Sequence, residues 1–361
     1  MSKVRIDYLD EIKGISILLV VFCHYVLLPS ETLIGNILMC IAWGAVPCFF
    51  MVTGGLLHNP CEFKWSRWRY RLLKTYTVLF IWKSLYLVCN LLTCQTVFTK
   101  TQCIQYLFFC EDMGNDLFGV FWFMHAYLML IIFLPISHFL FHSVEEGKKI
   151  LLFTVGLLFI GGLGLPSGNM LIYVLAKSMN KDAVSIMGFS KIIPFGNLWQ
   201  NMLFYFLLGA FLLKYHINIK NIFEKVPWKK GAIYSMFFIG TSGLILLKYF
   251  QTGTVQWGGQ YLSNGYSWIS TGLVSIAVYV FFLIRRRKNL LDKGLQYLGR
   301  NTMGIYYIHY PLCNIFLKLW NYYQRPYSVF YNILKTIIIV IICVLIVEIA
   351  KKIPIIKSLV I

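Results

Sequence analysis

The chain has 361 residues, of which 58% are hydrophobic and 13% are charged, and its mean hydropathy is +0.69. A soluble domain of this length could not bury so much apolar surface in one core, so the soluble globular class is excluded. Apolar runs of about 20 residues recur along the sequence, which indicates an all-α, polytopic helical membrane protein. The sequence lacks the short alternating segments of an outer-membrane barrel.

The net charge is +19, from 33 Lys and Arg against 14 Asp and Glu. The basic residues lie in the connections between apolar runs and not in one domain, which argues against a nucleic-acid partner. We expect them instead on the cytoplasmic side, in contact with anionic lipid headgroups of the bilayer. Because no linker or low-complexity tail interrupts the pattern, residues 1–361 are predicted to form a single membrane domain.

We predict ten spans, at roughly 11–30, 34–57, 72–93, 118–140, 149–166, 197–214, 231–250, 267–284, 300–319 and 329–350. Basic residues crowd every second connection, which places both termini in the cytoplasm. The loop 167–196 departs from this pattern because Lys177, Lys181 and Lys191 fall on the predicted outer side. Its piece NMLIYVLAKSM is typical of an interfacial or re-entrant helix. If that piece spans instead, the topology after it inverts.

The segment RIDYLDEIKGISILLVVFCH, residues 5–24, leads into the first span and forms most of it. Ionisable groups within a bilayer are costly and point to a functional site. Asp10 and Lys13 are spaced to pair on one helix face. Lys13 and His24 lie within about 20° of one face and about 16 Å apart in depth, and a neutral His24 is a competent general base. The alternative is a helix-end ion pair with a histidine bonded to a neighbouring helix.

Two further segments follow in the second and third spans. Thr53, Gly54 and Gly55 allow a close helix approach or an opened turn, although ordinary small-residue packing explains them as well. Residues 64–76 then interleave bases with aromatic rings at a predicted cytoplasmic boundary. These bases can bind phosphates, and the alternative is headgroup binding with an aromatic belt; they include Arg69, Arg71 and Lys74.

Polar residues also mark the fourth and ninth spans. Trp122 and His125 lie at the predicted outer mouth of the fourth span, where an aromatic rim would suit sugar stacking or serve as an interfacial anchor. Thr302, Tyr306 and His309 share one face of the ninth span because they follow i, i+4 and i+7 spacing. A reactive face and mutual hydrogen bonding within the bundle are both compatible with that pattern.

These segments, in this order, resemble the integral-membrane acyltransferase-3 family, whose members transfer acetyl and other acyl groups to sugars of surface glycans. The matching positions are Arg5, Leu9, Asp10, Lys13, Gly14 and His24; Pro47 to Gly54; Arg71 and Lys74; Trp122 and Phe123; and Thr302, Tyr306 and His309. Lys13 and Lys74 stand where the family usually has arginine, which keeps the charge but loses the planar fork. Thr53 and Thr302 replace serine and keep the hydroxyl, and Tyr310 separates His309 from Pro311.

The resemblance implies an O-acyltransferase of the inner membrane, moving acetyl from acetyl-CoA to a hydroxyl of a cell-surface polysaccharide or lipid-linked glycan. It implies acetyl-CoA as co-substrate, no tightly bound cofactor, no metal, and glycan-assembly proteins as further partners. For donor binding it implies Lys13, Arg69, Arg71 and Lys74, with Arg285–Arg287 as further candidates. For catalysis it implies His24, as general base or acyl carrier, with Asp10, Tyr306 and His309. For acceptor binding it implies Trp122, His125 and Thr302.

Two other classes fit the sequence. An exporter of polysaccharide or lipid-linked glycan would also have many spans with intramembrane charges, and it would need no acyl donor. A membrane sensor or scaffold would tolerate the loss of His24 and Arg71 together. Binding of CoA by the solubilised protein would discriminate, because an exporter has no reason to bind it.

Overall fold

A computed structural model describes residues 5–28, 33–59, 62–92, 98–111, 119–143, 145–191, 200–225, 230–252, 265–285 and 289–360. In these ranges the regular structure is helical throughout, which confirms the all-α prediction. The first eight helices are α1 (Asp7–Cys23), α2 (Leu33–Ala42), α3 (Ala45–His58), α4 (Trp65–Leu92), α5 (Lys100–Phe108), α6 (Trp122–His142), α7 (Glu145–Phe159) and α8 (Leu165–Ser178). The other eight are α9 (Gln200–Lys214), α10 (His216–Lys225), α11 (Lys230–Thr252), α12 (Ile269–Ile284), α13 (Leu290–Arg300), α14 (Thr302–Tyr322), α15 (Val329–Lys351) and α16 (Pro354–Val360).

Each of the ten predicted spans overlaps a helix or a helix pair, although α1 ends before the predicted limit of the first span. Six described stretches are long and apolar enough to cross a membrane, namely Leu33–His58, Trp65–Leu92, Trp122–His142, Glu145–Ser178, Lys230–Tyr249 and Val329–Lys351. A seventh follows if α9 and α10, bent by 65°, form one span. The protein is therefore a polytopic helical membrane protein, and the total of ten spans stays a prediction.

The loop predicted at 167–196 is largely helical. A π-helical segment, Ile160–Gly164, joins α7 to α8 without a break, so the run continues from Glu145 to Ser178 over 34 residues. Such a helix is about 51 Å long and exceeds the roughly 30 Å hydrocarbon core, so it must extend beyond the bilayer. NMLIYVLAKSM thus continues the fifth span as helix. Residues 192–199 of this loop lie outside the described residues.

Glycines bring two pairs of helices into backbone contact. A Cβ atom on Gly54 would overlap the carbonyl oxygen of Phe206, so α3 and α9 touch at this point. Likewise, a Cβ on Gly14 would overlap the Leu295 carbonyl, and one on Gly299 would overlap the Asp10 carbonyl. These two contacts make α13 antiparallel to the first half of α1. They also bring the end of α13 next to Asp10.

Helix α14 is held in the middle of the bundle by its tyrosines. The Tyr306 hydroxyl donates to the Val120 carbonyl at 2.5 Å, just before α6 begins. The Tyr307 ring stacks on Trp82 of α4 with centroids 5.0 Å apart, and its carbonyl accepts from the Tyr86 hydroxyl at 2.9 Å. The residues of α14 that face α1 are therefore fixed from behind by α4 and α6.

Candidate active site

A cavity of about 390 Å³ lies between α1, α2, α3, the start of α6 and α14. Lys13 and His24 both line it, so it extends about 16 Å along α1. Other polar residues that line it include Arg300, Thr302 and Tyr306. The wall is largely apolar and rich in aromatic side chains, among them Trp43, Phe49, Trp122, Phe123, Tyr127, Tyr266 and Tyr310.

One end of the cavity is built around the buried carboxylate of Asp10. Arg5 Nε donates to its Oδ2 at 2.6 Å, Lys13 Nζ lies 2.7 Å from its Oδ1, and Arg300 Nε lies 3.6 Å from Oδ2. Burial alone would raise the pKa of Asp10, which precedes the predicted first span, but the hydrogen bonds and charges of Lys13 and Arg5 outweigh it and lower the pKa. The Asp10 carboxylate therefore holds three basic side chains in place, and two of them, Lys13 and Arg300, line the cavity and make this end positively charged.

The other end is formed where α1 stops. The helix ends at Cys23, short of the predicted limit of the first span, and His24 follows in an extended conformation with φ −95° and ψ 134°. The 100° helical periodicity therefore does not set the direction of its imidazole. The ring nevertheless lines the same cavity as Lys13, and its centroid lies 5.3 Å from that of His309 and 5.0 Å from that of Tyr310.

His309 is fully buried behind His24. Its Nδ1 lies 2.7 Å from the Tyr306 carbonyl oxygen and 3.1 Å from that of Ile305. Because a carbonyl only accepts, the neutral ring carries its proton on Nδ1 and keeps a lone pair on Nε2. Nε2 has no hydrogen-bond partner in the part of the chain that the structure describes. His309 is therefore held in one tautomer with an available acceptor atom.

Comparison with known proteins decides the class of the protein. The family model described as an acyltransferase domain matches residues 6–348, nearly the whole chain. The chain belongs to the acyltransferase-3 family. No curated protein and no solved structure matches it significantly. Acyl transfer is therefore the chemistry of this protein, and family membership favours it over the exporter and scaffold alternatives.

In this acyltransferase, five predicted site residues meet in the cavity lining: Lys13, His24, Trp122, Thr302 and Tyr306. Asp10 and His309 lie behind the lining, in contact with Lys13 and His24 respectively. The Thr302 hydroxyl donates to the Gly299 carbonyl at 2.9 Å, so Thr302 and Tyr306 bond to backbone carbonyls of neighbouring segments. The catalytic and binding roles of these residues stay predictions.

The bases of α4 lie apart from this lining. Arg71 borders a separate recess of about 40 Å³ together with Arg67 and His138. Its charge is also within electrostatic range of Tyr127, which lines the main cavity. Arg69 is exposed, Lys74 is partly exposed, and neither is among the residues that line either cavity. The acyltransferase thus does not gather its four predicted donor-binding residues in one place.

Two other predicted binding groups also lie outside the lining. His125, predicted for the acceptor, is on α6 within electrostatic range of the buried Lys83. Arg285, a further donor candidate, forms an ion pair with Asp292. Arg286 and Arg287 lie outside the described residues.

Sequence reasoning assigned no role to three groups that the structure brings to the site. Arg300 lines the cavity beside Lys13, and Tyr266 stacks on Trp122 with ring centroids 5.4 Å apart. Lys335, on α15, donates to the His24 carbonyl at 2.7 Å. A lysine within the apolar run of the last span was the available signal for Lys335, because ionisable residues in membrane helices point to function. Tyr266 had no comparable local signal.

Proposed function

We propose that this acyltransferase moves acetyl from acetyl-CoA to a hydroxyl of a cell-surface polysaccharide or lipid-linked glycan at the inner membrane. The observation that carries the proposal is the cavity itself. It has a cationic end at Lys13 and Arg300 and an imidazole at His24, about 16 Å away along α1. This arrangement suits a donor with a phosphate-bearing head and a reactive thioester at the end of a long arm.

The cationic end supports binding of a polyanionic donor. Arg300 can form paired hydrogen bonds to a phosphate, which an ammonium group cannot do in the same way. Asp10 keeps Lys13 and Arg300 close together despite their mutual repulsion. Acetyl-CoA is proposed to place its phosphates here as co-substrate, with its thioester extended toward His24.

The chemistry at His24 is transfer of an acyl group from sulfur to oxygen. The acceptor oxygen attacks the thioester carbonyl, the new C–O bond forms, and the C–S bond breaks. His24 removes the hydroxyl proton as general base and returns it to the departing CoA sulfur. The alternative is a brief acyl-histidine that passes the acetyl group to the sugar in a second step. His309, which lies beside His24, is proposed to position the acceptor hydroxyl through its Nε2 lone pair, and Tyr306 is proposed to shape the acceptor site next to it.

The aromatic wall supports a carbohydrate acceptor. Trp122 and Tyr266 stack with an interplanar angle of 30°, and Trp43 meets Tyr266 edge-on at 4.9 Å. Flat rings beside a polar centre can cover the apolar face of a pyranose while its hydroxyls point toward His24. Glycan-assembly proteins are the proposed suppliers of such an acceptor at the membrane.

The test is transfer of radiolabel from acetyl-CoA to glycan in membrane vesicles that contain the native acceptor. We expect His24→Ala at matched abundance to lower transfer at least 100-fold, the lower range of a general-base contribution. His216→Ala is the matched control, because His216 bonds to the Leu213 carbonyl near the start of α10 and is not among the cavity-lining residues. We expect this variant to keep the wild-type rate.

Two results would contradict the proposal in different ways. Undiminished transfer by His24→Ala would remove the catalytic role of His24. No transfer by the wild type, with acceptor present, would mean that the acyl group or its carrier is not acetyl-CoA. In that second case, a CoA-binding measurement on the solubilised protein separates the two explanations. A different acyl group on CoA would still give binding, whereas a different carrier would not.

A further inference from the structure

The last long helix carries polar residues inside the bundle. Asn332 and Lys335 of α15 are fully buried, and they share a helix face because they are three residues apart. Burial of a lysine in a membrane helix is costly and requires a partner. Both side chains reach out of α15 toward the end of α1.

Their partners form one short segment, residues 22–27. Lys335 Nζ donates to the carbonyl oxygens of His24 at 2.7 Å and of Tyr25 at 3.2 Å. Asn332 Nδ2 donates to the Phe22 carbonyl at 3.1 Å, and Asn332 Oδ1 accepts from the Leu27 amide at 2.9 Å. Four hydrogen bonds from α15 therefore hold the six residues that include His24.

This segment needs such partners because α1 stops inside the protein. The last carbonyl groups of a helix find no N–H donor within that helix, and a carbonyl group left unpaired in apolar surroundings is unfavourable. His24 is extended, and Tyr25 follows with a left-handed φ of 47°. A non-glycine residue in that region persists only where its surroundings hold it. The hydrogen bonds from α15 supply that restraint.

We propose that Lys335, together with Asn332, is a positioning residue for His24. It fixes the backbone at His24 so that the imidazole points into the cavity beside His309. The inference rests on the proposed acetyl transfer at His24. A displacement of about 1 Å at a reacting group can lower a rate about 100-fold, so the accuracy of this restraint matters for the reaction.

The first test measures the restraint without reference to activity. Hydrogen exchange of the purified protein is followed by mass spectrometry in a peptide that covers residues 22–27. Lys335→Met is expected to speed exchange there, because the carbonyls of His24 and Tyr25 lose their donor. Lys248→Met is the matched control: Lys248 is also a buried lysine, but it donates to Asn36 of α2. It should loosen α2 and leave residues 22–27 unchanged.

The second test measures positioning. Lys335→Met is expected to lower kcat for acetyl transfer about 100-fold while KM for acetyl-CoA changes less than about twofold, because the cationic end lies about 16 Å from His24. In a His24→Ala background, Lys335→Met should cause no further loss, since groups that act as a unit are not additive. Lys335→Arg keeps the charge and the donors, so it should restore part of kcat.

The outcomes separate this inference from the proposed function. Unchanged exchange in residues 22–27 overturns the restraint. Faster exchange with wild-type kcat overturns positioning, and so does a further loss in the His24→Ala background. Absence of acetyl transfer in the wild type is a failure of the proposed function. Hydrogen exchange in residues 22–27 would then still show whether Lys335 restrains that segment. If Lys335→Met does not accumulate, Lys335→Gln, which keeps an amide donor on a shorter side chain, takes its place in both measurements.

Discussion

At the scale of single residues, the cationic end of the cavity depends on two different basic groups. Lys13 occupies the position where an arginine is usual in the family, and an ammonium group lacks the planar fork that binds phosphate at two points. Arg300 lines the same end, with its Nε 3.6 Å from the carboxylate that also holds Lys13. The guanidinium that the first helix lacks is thus supplied from the end of α13.

We predict that Arg300→Met raises KM for acetyl-CoA about tenfold, which corresponds to about 1.4 kcal/mol, while kcat changes little. The physical reason is that, in the proposed function, Arg300 would contact the donor far from the reacting atoms and would contribute equally to ground state and transition state. Steady-state acetyl transfer in vesicles measures both constants. Arg325→Met is the control, because Arg325 is exposed in the turn after α14. A fall in kcat at unchanged KM would contradict donor binding by Arg300.

At the scale of helices, the site depends on how closely α1 and α13 approach. Gly14 and Gly299 leave no room for a side chain at their contacts with the facing backbone. The result is that Asp10 and Arg300, which are distant in sequence, meet at one end of the cavity. Close packing therefore explains why a glycine, Gly14, follows Lys13. The same packing brings Arg300 to the cationic end.

We predict that Gly299→Ala destabilises the protein by about 1–3 kcal/mol, because the new methyl group would collide with the Asp10 carbonyl and a backbone must shift. Gly294→Ala, on the same helix, meets nothing within 4 Å and should be neutral or stabilising by about 0.5–1 kcal/mol. Thermal unfolding in detergent compares the two variants. Equal melting temperatures would show that α1 and α13 do not pack this closely.

At the scale of the whole molecule, the site is shared between helices of different kinds. Lys13 lies on α1, His24 directly follows that helix, and Thr302, Tyr306 and His309 belong to α14. Neither α1 nor α14 is among the six described stretches that are long and apolar enough to cross a membrane. A helix surrounded by protein can hold polar residues that lipid would not tolerate. Most residues of α1 are buried by neighbouring helices, among them Asp10, Glu11 and Ser16, so the bundle can hold this polar site.

The charge distribution predicts that both termini are cytoplasmic, and this orientation decides from which side the donor reaches Lys13. We expect a membrane-impermeant maleimide to label a single-cysteine protein with Cys110 in intact spheroplasts, because Cys110 is exposed and follows α5 on the predicted outer side. A protein with Cys61 alone, in a predicted cytoplasmic connection, should react only after permeabilisation. The opposite pattern would invert the topology and the proposed donor side.

The sequence by itself determined the class of the protein and much of its site. Hydropathy and charge fix an all-α membrane protein because a bilayer admits few other solutions. Motif order identified the family, and the short chain distance between Lys13 and His24 brings both to the first helix, with His24 directly after its end. Only the tertiary structure decided that α1 stops at Cys23, that Arg300 joins Lys13, and that Lys335 holds His24. These contacts join residues hundreds of positions apart, and they depend on helix packing that no local pattern encodes.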